Sequence, residues 1–382
     1  MKLHSTQIHR SPKSPAVPPL PAATAGLQRP APAGRRHFRL RQAVFFMIVT
    51  PLIVVAAVAG IVAGSTHVDW SVALHVIGAR LFPFWIDRAN IEKADDVIIW
   101  LIRTPRVIVA ALVGGGLAVA GALMQGFFRN PLAESNTVGV GSGAVLGAMI
   151  VFSTGLAAKS VVALPTAAFL GALLSLITVY ALATRGGVTP VSMLLLTGIA
   201  LSALLIAISS LLLTLTVANW EVAEEMIFWM SGGLDRRTWT HVWICAPFVL
   251  FAFAASLYYA RDLDLLMLGE DTASSLGVDV ESTKRAIIVI SALITGSAIA
   301  VAGAVGFVGL VVPHIARLFV GPSHRALLPS SAVAGAAFVI ICDLLARTIH
   351  PPTEIRLGVI TAAFGAPFFL FILVRKYREL NV

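Results

Sequence analysis

The chain has 382 residues, of which 58% are hydrophobic and only 12% are charged. A soluble globule of this length needs more polar surface than this composition supplies, so an ordinary soluble domain is excluded. The formal net charge of +9 is compatible with nucleic-acid binding, but in a membrane protein Lys and Arg first report the orientation of the chain. We therefore expect membrane lipid, and no nucleic acid, around this protein.

The first 41 residues are rich in Pro, Ala, Ser and basic residues and show no apolar periodicity. This composition predicts a disordered cytoplasmic tail over residues 1–41. The apolar run that follows is about 21 residues long, which exceeds the hydrophobic region of a signal peptide. We interpret it as a retained first membrane span, with a short cleavable signal as the alternative. Residues 42–378 form the predicted transmembrane domain.

Ten apolar runs follow one another in this domain. Most are long enough to cross about 30 Å of hydrocarbon as a helix, and the eighth is short. The predicted fold class is therefore an all-α polytopic membrane protein. The predicted spans are residues 42–63, 104–127, 138–155, 161–183, 191–217, 240–260, 284–306, 308–320, 327–347 and 356–375.

The basic residues set the predicted orientation. With a cytoplasmic N-terminus, eighteen of the 28 Lys and Arg residues fall on the cytoplasmic side and ten fall outside. An even number of spans returns the C-terminus to the cytoplasm, and the basic sequence "RKYRE" after the last span agrees. We expect a multi-pass membrane protein with both termini in the cytoplasm.

An internal repeat relates two of the spans. The string "AVAGA" starts at Ala118 and again at Ala300, an offset of 182 residues, and Arg103 matches Arg285 at the same offset. The second span then corresponds to the seventh, five spans later, so the chain crosses in the reverse direction. The sequence therefore predicts two inverted repeats, an arrangement common in transporters.

Two proline-containing segments, residues 127–144 and 308–325, follow the repeated spans, and Pro131 and Pro313 keep the same offset. Proline has no backbone N–H, so we predict that each proline ends a helix and that the freed carbonyl groups face protein or water. The glycines of the second span are interpreted as sites of close helix packing. They are Gly114, Gly115, Gly116 and Gly121.

No motif in the chain supplies energy for transport. None of the six lysines follows a glycine, so the Gly-Lys-Ser/Thr of a phosphate-binding loop is missing from the sequence. Asp343 is the only carboxylate well inside a predicted span, and Arg347 follows one helical turn later, where it can form an ion pair. One paired carboxylate is weak machinery for ion coupling, so the energy should come from another subunit. A secondary transporter coupled to protons or sodium is the alternative.

A polar segment, "LGEDTASSLGVDVESTKR", interrupts the apolar pattern from Leu268 to Arg285. It predicts two short helices separated around Gly277, with Asp271 or Thr272 able to cap the first. The predicted orientation places this segment in the cytoplasm. A solvated amphipathic loop on the membrane surface is the alternative.

The pattern "LGEDTASSLGV" resembles the coupling segment of the FecCD-type permeases, the membrane subunits of ABC importers for iron chelates, haem and cobalamin. Three further stretches are similar to the same family: "RTPRVIVAALVGGGLAVAGALMQGFFRNPLA" (103–133), "GFVGLVVPHIARL" (306–318) with "HRALLPSSAVAGA" (324–336), and "LGVITAAFGAPFFLFIL" (357–373). The resemblance covers roughly residues 42–378. It implies the type II ABC importer permease fold with about ten spans.

The resemblance also implies three sets of functional positions. In this family the coupling segment packs into a groove of a cytoplasmic ATPase, periplasmic arginines pair with a substrate-binding protein, and an inner gate lies where the fifth span begins. The ATPase contact corresponds to Leu268, Gly269, Glu270, Ala273, Leu276 and Gly277, the binding-protein contact to Arg103, Arg106 and Arg347, and the gate to Val191 and Ser192. For the arginines, snorkelling to the membrane interface is the alternative, together with the Asp343 pair for Arg347.

The resemblance implies a homodimeric permease served by two ATPase subunits, which hold ATP and magnesium, and by a periplasmic substrate-binding protein. The chain itself is expected to carry no cofactor or metal and to catalyse no reaction. The "RNPLA" region and the third span look most like those of haem permeases, so haem is the expected cargo, with an iron-siderophore complex or cobalamin as alternatives. The sequence departs from the family pattern at Ser135, Asn136, Pro190, Val191 and Arg356, and the last of these adds a basic residue at the predicted periplasmic face.

Overall fold

The chain folds as a bundle of helices in the computed structural model, which describes residues 33–64, 68–84, 91–351 and 353–380. Within these ranges there is no extended strand, and one isolated bridge joins Arg185 to Val188. The α-helices are α1 (Ala33–Val62), α2 (Trp70–Leu81), α3 (Lys93–Asp96), α4 (Thr104–Phe127), α5 (Val140–Ser153), α6 (Leu156–Lys159), α7 (Ala163–Ala183), α8 (Val191–Thr216), α9 (Trp220–Met230), α10 (Trp239–Tyr258), α11 (Ala260–Leu266), α12 (Glu270–Ser275), α13 (Val280–Ala302), α14 (Val308–Val320), α15 (His324–Thr348) and α16 (Leu357–Leu380).

Ten apolar helices occupy the ten predicted spans. Eight of those in the described part of the chain are long and apolar enough to cross a membrane, and α5 and α14 are shorter apolar helices. The predicted all-α polytopic fold is therefore confirmed. The third span is shorter than predicted, because Gly139 adopts a left-handed conformation (φ 83°) immediately before α5 begins. The second is longer, because a π-helical turn, Val97–Arg103, joins α3 to α4.

The predicted tail ends earlier than expected. Helix α1 begins at Ala33, so residues 33–41 are helical; the Ala, Arg and Leu residues of this stretch favour a helix. Arg41 Nη2 donates to Leu318 O at 2.6 Å, and Gln42 Nε2 donates to Val320 O at 3.3 Å. These side chains satisfy carbonyl groups in the last turn of α14, which have no partner within their own helix. Residues 1–32 of the predicted tail lie outside the described residues.

Contacts between connecting segments define two ends of the bundle. At one end, which we call the α12 end, Lys284 at the start of α13 contacts Thr189 just before α8. At the opposite end, Arg103 just before α4 contacts Val62 at the end of α1. The repeated helices α4 and α13 pack against each other and run in opposite directions between these ends. This antiparallel packing agrees with the predicted inverted repeats.

Helix α4 forms the centre of the bundle, where it contacts α10, α13, α14 and α15 and is buried along almost its whole length. The close approach of its neighbours requires glycine. A Cβ atom at Gly114 would overlap the carbonyl of Gly335, and one at Gly121 would overlap the carbonyl of Gly309. The predicted packing role of the glycines is confirmed at these two positions.

The two prolines behave differently from each other. Pro131 follows the end of α4 as predicted, but the prediction for Pro313 is wrong, because this residue lies inside α14. The chain breaks earlier, at residues 303–307, where Phe307 takes a positive φ of 66°. Without an N–H at residue 313, the carbonyl of Gly309 loses its helical partner. Gln125 of α4 supplies a substitute, since its Nε2 lies 3.3 Å from Gly309 O and 3.1 Å from Leu310 O.

Candidate functional site

The polar segment after α10 forms two helices on either side of Gly277, as predicted. Gly277 has a φ of 87°, which allows the chain to reverse between α12 and α13. The predicted cap of α12 is wrong, because Gly269, with a φ of 124°, occupies the cap position. The second helix is capped instead: Asp279 Oδ1 accepts from Ser282 N–H at 3.1 Å.

The tip of this segment exposes large apolar side chains. Leu268 is 66% exposed and Leu276 57% exposed, and the exposed Gly277 lies beside them. Ala273 is fully buried, so it shapes the segment and offers no contact of its own to a partner. Exposed apolar groups on a polar connection are typical of a protein contact. The ATPase-contact role of this segment stays a prediction.

A hydrogen-bonded junction fastens α11, which precedes the segment, to α15. Asp264 Oδ1 accepts from His324 N–H at 2.9 Å and lies 2.6 Å from its Nδ1, while Ser323 Oγ donates to Oδ2 at 3.0 Å. Burial alone would raise the pKa of the Asp264 carboxyl group, but the bonds from His324 and Ser323 outweigh it and hold this pKa below its ordinary value. The carboxylate thereby caps the start of α15.

A second junction joins α12 and α13 to the turn before α8. Lys284 Nζ lies 3.2 Å from Glu270 Oε2 and 2.5 Å from Glu281 Oε1, and it donates to the carbonyl of Thr189 at 3.1 Å. The predicted gate residues, Val191 and Ser192, come two and three residues after Thr189 in the chain. Val191, the first residue of α8, is half-buried against the core, and Ser192 is exposed. Their gate role stays a prediction.

The three predicted docking arginines lie together at the opposite end, but they are buried. Arg103 is 5% exposed, Arg106 8% and Arg347 6%. Arg103 Nη1 donates to Ile61 O at 3.0 Å and to Val62 O, while Arg347 donates to Gly60 O at 2.6 Å and to Ala63 O at 3.1 Å. These four carbonyls belong to the C-terminal end of α1, where helical partners run out. Arg103 and Arg347 therefore cap α1.

Arg106 is the centre of a buried ion cluster. Its Nε and Nη2 donate to Asp343 at 2.8–3.1 Å, and its Nη1 and Nη2 each donate to Glu354 at 2.9 Å. Arg347 Nε lies 3.3 Å from Asp343 Oδ2, which confirms the predicted ion pair one turn apart. Two guanidinium groups thus face two carboxylates. This arrangement occupies the arginines within the chain, and their contact with a binding protein stays a prediction.

A polar cavity of about 510 Å³ opens at the same end. It is lined by charges of both signs, among them Glu221, Glu224, Glu225, Arg236, Arg237 and Arg356. The guanidinium of Arg356 stacks 3.6 Å from the ring centroid of Phe228 and lies 3.3 Å from Asp235 Oδ1. Arg356 therefore sits at the predicted periplasmic end, as expected.

Sequence reasoning missed Lys284, Glu354 and the Asp264–His324 junction. Only the spacing of Glu281 and Lys284, three residues apart on a helix, carried a local signal. The other partners are 14 to 248 residues apart in the chain. As for metals, no group of three His, Cys, Asp or Glu side chains in the described ranges is arranged to hold an ion.

Known proteins share this architecture. The chain is 44% identical over 284 residues to the cobalamin import permease BtuC of Halobacterium salinarum, covering 74% of this chain and 75% of that protein. It is 38% identical over 285 residues to the haemin transport permease HmuU of Yersinia pestis, covering 74% and 84%. A solved metal-chelate type ABC transporter in an inward-facing conformation matches with a TM-score of 0.75 and 28% identity, over 87% of this chain and 99% of that one.

The fold and these likenesses define a polytopic ABC transporter permease. The model of the FecCD transport family matches residues 52–375, and the chain belongs to that family. The resemblance noted in the sequence is thereby confirmed over most of the transmembrane domain.

Replacing Arg106 separates a structural role from a docking role. Arg106→Met leaves Asp343 buried with Arg347 as its remaining ion partner, so we expect the free energy of unfolding in detergent to fall by about 3–5 kcal/mol. The control is Arg80→Met, which breaks the Arg80–Asp96 pair; both side chains there are more than a quarter exposed. That change should cost roughly 0–1 kcal/mol. Unchanged stability of Arg106→Met, with lost capture of the binding protein, would favour docking instead.

Proposed function

We propose that this chain is the permease subunit of an ATP-driven importer for a bulky metal chelate. It works as a homodimer in a bacterial inner membrane, with two ATPase subunits at the α12 end and a periplasmic substrate-binding protein at the opposite end. The observation that carries the proposal is the exposed apolar tip of the α12 segment, on a chain that belongs to the FecCD family. The ATPase subunits hold the ATP and magnesium, and the chain itself is not an enzyme.

Energy enters through the exposed tip. Leu268 and Leu276 project from a segment that the buried Ala273 and Val278 attach to the bundle. A groove on the ATPase can cover these two side chains and bury their apolar surface. When ATP binding closes the two ATPases, the segment moves with them and changes which side of the transport path is open.

The path runs between two copies of the chain. Helix α8 is the most exposed of the long helices in the described part, with 11% of its most apolar window buried. Most of its exposed side chains are apolar, for example Leu196, Leu211 and Leu215. Such a helix face must be covered by lipid or by protein, and we place the second copy along part of it. Membrane lipid covers the rest of the apolar perimeter.

The proposed cargo class is a metal chelate of the iron-chelate, haem or cobalamin type. Relatives of this chain include a cobalamin permease at 44% identity and a haemin permease at 38%. These values do not favour haem over cobalamin, so the expectation of haem stays a prediction. Each such cargo is large, and an apolar path that provides few polar contacts suits all of them.

Reconstitution tests the source of energy and its point of entry. In proteoliposomes that contain the permease, its ATPase and its binding protein, uptake should require ATP and should persist when ion gradients are collapsed. The double change Leu268→Ser and Leu276→Ser removes the apolar tip, so we expect ATPase binding and uptake to fall at least tenfold. The measurement is chelate uptake together with co-purification of the ATPase.

The matched control is Leu318→Ser, an equally exposed leucine at the α12 end but on α14. This variant should keep normal ATPase binding. Uptake by the permease alone, driven by a proton or sodium gradient, would contradict the proposal and support the secondary transporter.

The cargo is identified through the binding protein. We expect the cognate binding protein, purified with its ligand, to carry a metal chelate and to bind the permease. An absorption spectrum separates the candidates: a Soret band supports haem, whereas a corrinoid or siderophore spectrum assigns the cargo to the alternatives. A binding protein that holds a small ligand without any chelate would contradict the cargo class.

A further inference from the structure

Lys284 is buried, with 3% of its surface exposed. Its ammonium group has three donors, and three acceptors surround it: Glu270 Oε2, Glu281 Oε1 and the main-chain carbonyl of Thr189. A buried ammonium is stable only when it is paired in this way. Moving any one of these acceptors away would leave a buried N–H donor of Lys284 without a partner, which is energetically unfavourable.

The three acceptors belong to two different parts of the chain. Glu270 is the first residue of α12, the helix that carries the exposed tip. Thr189 lies 95 residues before Lys284, in the turn between α7 and α8, and is 1% exposed. Glu281 contacts both Lys284 and Thr189: its Oε1 lies beside the ammonium group, and its Oε2 accepts from the Thr189 N–H at 3.3 Å. One ammonium group thus bridges α12 to the segment that leads into α8.

The turn before α8 is closed on itself, so it can transmit a displacement. Arg185 and Val188 exchange two main-chain hydrogen bonds of 3.1 Å, and the hydroxyl groups of Thr184 and Thr189 lie 2.9 Å apart. Pro190 then fixes the backbone at the start of α8, with a φ of −65°. Few backbone torsions between Thr189 and Val191 are free to rotate, so a displacement of Thr189 also displaces Val191.

We infer that Lys284 is a positioning residue that makes α12 and the start of α8 move as one body. The inference rests on the proposed function, in which a partner ATPase displaces α12. It adds the route by which that displacement reaches the cytoplasmic end of the transport path. If Lys284 only stabilised the fold, the distance between α12 and the turn before α8 would not need to stay fixed. The positioning role requires that it does.

The distance between these two parts is measured directly in the isolated permease. Spin labels are placed at Ser274→Cys on α12 and at Val188→Cys in the turn, both of which are exposed positions. The native Cys245 and Cys342 are buried and stay unlabelled. Pulsed electron paramagnetic resonance should give one narrow distance distribution with Lys284 in place, and Lys284→Met should broaden it at least twofold.

Three further variants make the result specific. Lys284→Arg keeps a positive charge at this position and should retain the narrow distribution. Glu270→Gln removes the negative charge that pairs with Lys284 on α12. Because the Glu270 side chain is 41% exposed, this variant should fold, and it tests the bridge even if Lys284→Met does not fold. It should broaden the distribution. Arg325→Met removes one positive charge from an exposed position at the same end and should change nothing.

Unchanged narrow distributions in Lys284→Met, or in Glu270→Gln where Lys284→Met does not fold, would overturn the inference. With the ATPase bound, ATP should move both labels together in the wild type and separate them in Lys284→Met, with uptake falling at least tenfold while hydrolysis continues. Failure of the ATPase to bind would instead count against the proposed function, because the distances in the isolated permease do not depend on that partner.

Discussion

A cation that is buried in a bundle of apolar helices must be paired with anions and hydrogen-bond acceptors inside that bundle. This constraint fixes both ends of the molecule. At the opposite end, Arg106 and Arg347 meet Asp343, and Arg347 also caps α1. At the α12 end, Lys284 ties α12 and α13 to the turn before α8 at Thr189. The helices between the two clusters need only close apolar packing, which the glycines of α4 allow.

The two ends then differ in what they offer to other proteins. The α12 end exposes leucine side chains on a short polar connection, and these are free to contact a partner. At the opposite end, the three arginines expected to face a binding protein are engaged inside the chain, and the surface there is a cavity lined by glutamate and arginine. A binding protein that approaches this end meets a rim of mixed charge, which steers association and sets its register more than it adds affinity.

Local patterns in the sequence were sufficient for the fold. Apolar runs marked the spans, and the AVAGA repeat indicated the antiparallel α4 and α13. The site was predicted less completely, because its important contacts join residues far apart in the chain. Arg103 and Arg106 were correctly located at one end, but no local signal shows that Arg103 caps α1 or that Arg106 binds Glu354, 248 residues away. Pro313 misled the prediction because Gln125 compensates for its missing N–H from another helix.

We propose that a partner ATPase acts on the exposed tip of the α12 segment. A single cysteine in place of Leu276 tests it, because both native cysteines are buried and a maleimide then reports on one exposed thiol. We expect the rate of labelling at position 276 to fall at least tenfold when the ATPase binds, whereas a cysteine in place of the exposed Arg325 should keep its rate. Equal labelling of the Leu276 position with and without bound ATPase would show that the tip is not the contact.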